Sequence, residues 1–285
     1  MEYPVEVALA EQVMVLPEGE GWWYEPKLDG DRGILWRRET VRIQTRSGRD
    51  ATAQWIDIAT AAMDLPPGTV LDGELVIWRD GRTDFGAVRS RASARGRRLT
   101  ELVGRHPASY AAFDCLMLAG RDLRPRPYTE RRAALLDVLG PLGLPLQAVP
   151  ATDDVDVART WYEVLPEQGV EGIVAKRASA PYRPGRSWRK VRHSDVVDAD
   201  VVGYTGTAAR PRQLAVRLPD GRIALTQTLS TGLVAQVAPY LPAGPFHRER
   251  TVHGDSYTAL PDSTVVVEVA SGTTRHAVVT MMRVR

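Results

Sequence analysis

Only three lysines, Lys27, Lys176 and Lys190, stand among 34 arginines in this chain of 285 residues. A GC-rich coding sequence produces such an arginine bias, and against it each lysine needs a reason. Arginine cannot be deprotonated in a protein and so cannot act as an amine nucleophile, whereas lysine can. Lys27 lies in Glu25-Pro26-Lys27-Leu28-Asp29-Gly30-Asp31-Arg32, where a strand reads as ending and a turn as beginning. A lysine there can project into a cleft, and a cationic neighbour such as Arg32 would disfavour its protonated form. The same stretch also reads as a plain polar turn with Asp29-Gly30 at its tip.

Further polar clusters follow in order. They are Thr45-Arg46-Ser47-Gly48-Arg49, Leu71-Asp72-Gly73-Glu74-Leu75, Ala112-Phe113-Asp114, Glu171-Gly172-Ile173-Val174-Ala175-Lys176 and Trp188-Arg189-Lys190-Val191-Arg192. Each has a structural alternative. Phe113 reads equally as core, Glu171-Gly172 as a turn before a strand, and Arg46 and Arg49 as solvated turn residues. His106, His193, His247, His253 and His276 show no metal-ligand spacing. Cys115 stands alone, which excludes an intrachain disulfide and a multi-cysteine zinc site.

The elements that must position these residues read as mixed helix and strand. The first ~20 residues, with Pro4, Pro17, Gly19 and Gly21, read as an irregular lead-in. Strands are expected at 22–25, 70–78, 110–118 and 172–176, with a hairpin over 33–45. Helices are expected behind an Asp50 cap, over 130–139 and 155–165, and over 87–103, where five arginines between Arg89 and Arg98 would form a basic face. That face suits either solvent or phosphates. Beyond 193–198 short strands dominate, with one helix near 233–240, as in a small barrel of the OB type. Hairpins in place of regular βαβ repeats favour α+β. The expected division is 1–194 and 195–285.

Hydrophobic residues at 44% and charged residues at 25% exclude wholesale disorder. No run of ~18 apolar residues suggests a membrane span, and the acidic N-terminus does not read as a secretory signal. A cytoplasmic location is therefore the expectation. The net charge of +2 says little about partners.

The six clusters in this order resemble the covalent nucleotidyltransferase superfamily, which includes ATP-dependent DNA ligases, RNA ligases and mRNA capping enzymes. The resemblance runs from Trp22 to the C-terminus and looks nearest to bacterial ATP-dependent DNA ligases. It implies a nucleotidyltransferase domain of antiparallel sheets with helices, followed by an all-β OB domain. It also implies sealing of nicks in duplex DNA by a monomer using ATP and Mg2+ or Mn2+. By that resemblance Lys27 takes AMP from ATP, and Glu25 accepts a hydrogen bond from the adenine amine. Phe113 and Val174 sandwich the base, while Arg32 and Glu74 hold the ribose. Glu171, with Asp29, would hold the metal. Lys176, Lys190 and Arg192 would neutralise phosphates, and Arg46 with Arg49 would contact DNA. Arg275-His276 and Arg283-Val284-Arg285 stand where the family has an Arg-x-Asp-Lys ending, and would approach pyrophosphate about a hinge at 193–195. Only 26 residues precede Lys27, so a minimal ligase is expected, with a repair partner as a possible source of further DNA grip. The alternatives on the same core are RNA ligation, capping, or a non-catalytic nucleic-acid-binding relative.

Overall fold

The computed structural model describes residues 1–13, 15–251, 254–261, 265–272 and 279–285. The chain forms two compact units, Met1–Arg192 and His193–Arg285. The mixed α+β reading of the first and the all-β reading of the second are both borne out.

Two sheets build the first unit. One has four strands in the order Ala8–Gln12, Gly185–Arg192, Val170–Arg177, Trp22–Leu28. The other is centred on Asp31–Arg37, Thr69–Arg79 and Ala108–Leu118, flanked by Val41–Thr45. Between them lies an apolar layer that includes Ile34, Trp36, Val70, Leu116, Tyr182 and Trp188, with Phe113 and Val174 packed against it. On its other side the larger sheet packs on a second core, in which Ile58, Val88 and Leu135 from three helices are fully buried. Asp84 caps one of those helices, accepting from Ala87 N at 2.8 Å.

Three expectations change. The lead-in is not irregular: Ala8–Gln12 is a strand running parallel to Gly185–Arg192. A second parallel pair joins 110–112 to 146–148, so the sheets are not wholly antiparallel. The helix over 87–103 is two helices, Phe85–Ser93 and Gly96–Arg105, because Ala94 is extended and Gly96 takes a left-handed φ of +54°. Nor is the basic face continuous. Arg89, Arg95, Arg97 and Arg98 are exposed, but Arg91 is buried. The Arg91 guanidinium pairs with Asp57 and donates to the carbonyls of Gln54 (2.8 Å) and His106 (2.9 Å) over the Trp55 ring. It ties the helix to its neighbours and is not available to phosphates.

In the second unit the long strand Ser194–Thr207 pairs with Arg210–Arg217 along one half and with Val266–Gly272 along the other. Val279–Val284 continues from there, and a bridge from Thr226 to Val279 brings the sheet back on itself. Val201, Leu214, Val216, Val237, Val267 and Val269 fill the interior. All but Val237, which comes from the helix Thr231–Val237, are inward-facing residues of strands that alternate as a small barrel requires. Among the described residues no helix is long and apolar enough to cross a membrane.

Candidate active site

The four-stranded sheet collects most of the sequence-predicted residues on one face. Its register sets Lys27 opposite Gly172 and Gly172 opposite Arg192. It likewise sets Glu25 opposite Val174, Val174 opposite Lys190, and Trp23 opposite Lys176. Side chains alternate along a strand, so residues two apart share a face. Lys27, Glu25, Val174, Lys176, Lys190 and Arg192 therefore share one. Gly172 has no substitute at its position. Its φ is +150°, and a Cβ there would lie 2.0 Å from the Val191 carbonyl oxygen.

Two clusters form on this face. In the first, the Lys27 ammonium pairs with the Glu171 carboxylate, and Arg192 approaches the same oxygen at 3.6 Å. Burial alone would raise the Glu171 carboxyl, but Lys27 and Arg192 outweigh it and hold it below its ordinary value. Burial, and then the Glu171 charge, raise Asp29 well above the usual carboxylate range. Lys190 is pushed down to about 8 by burial and by the positive charges of Arg192 and Lys27, with a smaller contribution from Arg46. Burial raises Glu74 to about 7 although Lys27 and Arg32 oppose the shift. Gly30 packs the turn after Lys27 against the strand of Glu74, for its Cβ would meet the Leu75 carbonyl oxygen at 2.4 Å.

The second cluster surrounds Lys176. This lysine was expected among the phosphate-binding cations, but its side chain is 1% exposed and it pairs with Glu25 at 2.7 Å. Its Nζ also donates to the Phe113 carbonyl at 2.8 Å. Phe113 itself sits at a β-bulge, since Asp72 faces Asp114 and Gly73 faces Ala112 with Phe113 between them unpaired. A bulge re-aims a side chain, and here the ring turns to the layer between the sheets.

Arg32 also departs from expectation. Its register partner is Glu74, but its guanidinium grips Asp72, with Nε to Oδ1 at 2.8 Å and Nη2 to Oδ2. Its Nη1 donates to the Ala8 carbonyl at 2.5 Å, and the rings of Phe113 and Trp188 flank it. Tyr182 completes the knot, donating to Asp72 at 2.7 Å and accepting from Ala8 N at 3.0 Å. With these bonds Arg32 braces Asp72, Ala8 and Tyr182 together. It is not a free cation beside Lys27, because Asp72 neutralises it and Lys27 faces the Glu171 carboxylate.

Arg46 and Arg49 are exposed on the turn after Val41–Thr45, where Arg49 Nε bonds Ser47 at 3.3 Å. Arg283 pairs with Glu268 at 2.9 Å, while Arg275 and His276 lie outside the described residues. Sequence reasoning missed Tyr128 and Tyr182 altogether. Tyr182 sits in Pro181-Tyr182-Arg183-Pro184, and an aromatic hydroxyl between prolines was the one available signal.

The profile of the ATP dependent DNA ligase domain matches residues 6–192, the whole of the first unit but its first five residues. The chain belongs to the ATP-dependent DNA ligase domain family. Among relatives of this ligase-family chain, DNA ligase C2 of Mycolicibacterium smegmatis is 36% identical over 204 residues, covering 70% of this chain and 57% of the relative. DNA ligase C of Mycobacterium tuberculosis is 36% identical over 208 residues, covering 70% and 58%. The match thus spans less than three-fifths of either relative. A mycobacterial DNA ligase D structure, complexed with ATP and MES, superposes with a TM-score of 0.54 at 26% identity, covering 98% of this chain and 93% of that one.

Proposed function

We propose that this ligase-family chain is an ATP-dependent DNA ligase that seals nicks in duplex DNA. The observation that carries the reading is the Lys27–Glu171 pair, with Lys190 and Arg192 beside it on one sheet face. In the first step Lys27 Nζ bonds to the α-phosphorus of ATP and the bond to pyrophosphate breaks. The proton lost from the amine has the Glu171 carboxylate next to it. Lys190 and Arg192 offset the charge that develops on the phosphates, the main contribution a protein can make to phosphoryl transfer. AMP then passes to the 5′-phosphate of the nick, and the 3′-hydroxyl displaces it.

The carboxylates suit a divalent cation. Asp29 and Glu171 lie within hydrogen-bond reach of each other, and their repulsion is what a cation would relieve. Magnesium takes one or two carboxylates and completes its shell with phosphate and water. When bound it would supply charge neutralisation at the phosphates. Val174 and Phe113 line the base slot and Glu74 faces the ribose, with Arg32 holding the wall between them. Arg46 and Arg49 remain the DNA contacts of this reading, which also takes the protein to be a cytoplasmic monomer.

Incubation with α-labelled ATP and magnesium, followed by denaturing electrophoresis, tests the proposal. Wild-type protein should carry the label covalently, and Lys27→Arg, which keeps the charge but not the nucleophile, should carry none. Labelling of Lys27→Arg at the wild-type rate would overturn the assignment.

A further inference from the structure

Glu171 stands at an irregularity in the four-stranded sheet. Val170 faces Leu28 and Gly172 faces Lys27, so Glu171 is an extra residue between them. Ladder pairing does not aim the side chain of a bulged residue, so its direction depends on what holds the chain on either side. After it, Gly172 packs against the Val191 carbonyl. Before it, the Thr83 hydroxyl donates to the Gly169 carbonyl at 3.0 Å. Gly169 takes a left-handed φ of +83°, and a Cβ there would run into that hydroxyl. Its N–H donates to the Pro166 carbonyl at 2.9 Å, and Val170 N donates to that of Leu165 at 3.2 Å.

Thr83 belongs to a hairpin of the larger sheet, in which Trp78 pairs with Thr83 and Arg79 with Arg82. Asp80 and Gly81 both take positive φ, 51° and 77°, as a tight two-residue turn between strands requires. Asp84 ties the hairpin down. Its N–H donates to the Ile77 carbonyl and its carboxylate accepts from Arg79, each at 2.8 Å. The helix that Asp84 caps brings Arg89 within 3.7 Å of Asp31, in the turn after Lys27. One braced segment, 75–89, thus touches the chain beside both members of the Lys27–Glu171 pair: Gly30 and Asp31 on one side, Gly169 on the other.

We propose that Thr83 is a positioning residue, which through Gly169 holds Glu171 against Lys27 and so sets the rate at which Lys27 bonds to the α-phosphorus. The inference rests on the nucleotidyl-transfer reading above and deepens it. Without the hydroxyl the Gly169 carbonyl loses its donor, and a glycine in a turn is the backbone link that swings most readily. The bulged residue two positions on moves with it. A displacement of about 1 Å at a reacting group can cost on the order of 100-fold in rate. A single hydrogen bond holds only part of that, roughly fivefold to tenfold.

The test compares Thr83→Val, which keeps the shape and loses the donor, with Thr83→Ser, which keeps the donor. One readout is KM and the saturated rate of adduct formation with ATP, per folded molecule. The other is a zero-length cross-link made with a water-soluble carbodiimide and mapped by peptide mass spectrometry. The reagent carries off one Glu171 carboxyl oxygen as its urea, and the Lys27 amine bonds to the carbon in its place, which happens only where the two groups touch. In Thr83→Val the saturated rate should fall roughly fivefold to tenfold with KM near wild type, and the yield of the Lys27–Glu171 cross-link should fall with it. Thr83→Ser should restore both. Thr83→Ala serves if Thr83→Val does not fold. A merely structural role predicts a lower unfolding midpoint with rate and cross-link unchanged, and that result would overturn the proposal. So would equal losses in Thr83→Ser and Thr83→Val, or no cross-link in wild type. A wild type that forms the cross-link but no adduct sinks the nucleotidyl-transfer reading, whereas the cross-link yields still decide whether Thr83 holds Glu171 to Lys27.

Discussion

Arg131 and Asp114 form a fully buried ion pair directly beside Phe113. Nε meets Oδ1 at 2.7 Å and Nη2 meets Oδ2 at 3.0 Å, with Asp114 at 0% and Arg131 at 1% exposure. Arg131→Met keeps the bulk and removes the charge. The Asp114 carboxylate would then stand buried and unpaired, a state that costs about 3–5 kcal/mol. The carbonyls of Arg126 and Ala180, which accept from Nη1 at 2.6 and 2.9 Å, would also lose a donor, adding roughly 1–3 kcal/mol for each that water cannot reach. The total approaches the whole stability of a typical domain. For a unit of this size each kcal/mol lowers the midpoint by about 2–4 °C, so a fall of at least roughly 10 °C is expected. All seven tryptophans lie within residues 22–188, so tryptophan fluorescence during urea or thermal unfolding reports the first unit alone. Asp114→Leu combined with Arg131→Met should recover most of the ion-pair term, leaving only the two carbonyls. A single-variant loss under about 1 kcal/mol, or a double variant no better than the single, would refute the reasoning that the charge needs its partner.

Three further outcomes are expected. Lys190 loses its proton as pH rises through about 8, so the rate of adduct formation should decline above that value. Lys190→Arg, which stays charged, should move the decline upward, and superimposable profiles would deny Lys190 a role at the phosphates. Arg46→Ala should reduce the slope of log affinity for nicked duplex against log salt by about 0.9, as one phosphate contact requires. Arg91→Ala should leave that slope alone and lower the unfolding midpoint instead. Deleting residues 1–12 should abolish adduct formation and destabilise the first unit, since Ala8 supplies both a carbonyl to Arg32 and an N–H to Tyr182; full activity would show that strand to be dispensable.

Clusters of polar residues at strand ends were legible in the sequence because alternation puts residues two apart on one face. That rule alone brings Glu25, Lys27, Val174, Lys176, Lys190 and Arg192 together once the strands pair. The partners those side chains choose were not legible. Lys176 looked like one more phosphate-binding cation, and only the pairing of Trp23 with Lys176 and the approach of Tyr128 from a distant helix turn it toward Glu25. Arg32 and Asp72 are forty residues apart, and their contact follows from sheet register, which no local pattern encodes. The strand at Ala8–Gln12 was hidden among prolines and glycines, and its parallel partner lies about 180 residues away. The basic helix misled because an arginine reads the same whether it faces solvent or, like Arg91, an interior aspartate.

The two sheets of the first unit differ in how far apart in the chain their strands lie. The larger one is assembled from segments between Asp31 and Ala148 and can form while the chain is still being made. The four-stranded sheet joins Ala8–Gln12 and Trp22–Leu28 to Val170–Arg177 and Gly185–Arg192. Its first strands leave the ribosome more than a hundred residues before their partners, and pairings of such separation form late. Lys27 would thus be synthesised early and reach its place in the sheet last, when residue 192 has emerged. Until then Lys27 has neither Glu171 nor the strand of Lys190 and Arg192 in place. A ribosome stalled before that point would hold a nascent chain with a folded larger sheet and an unassembled four-stranded one, and a few tens of residues more would let it assemble.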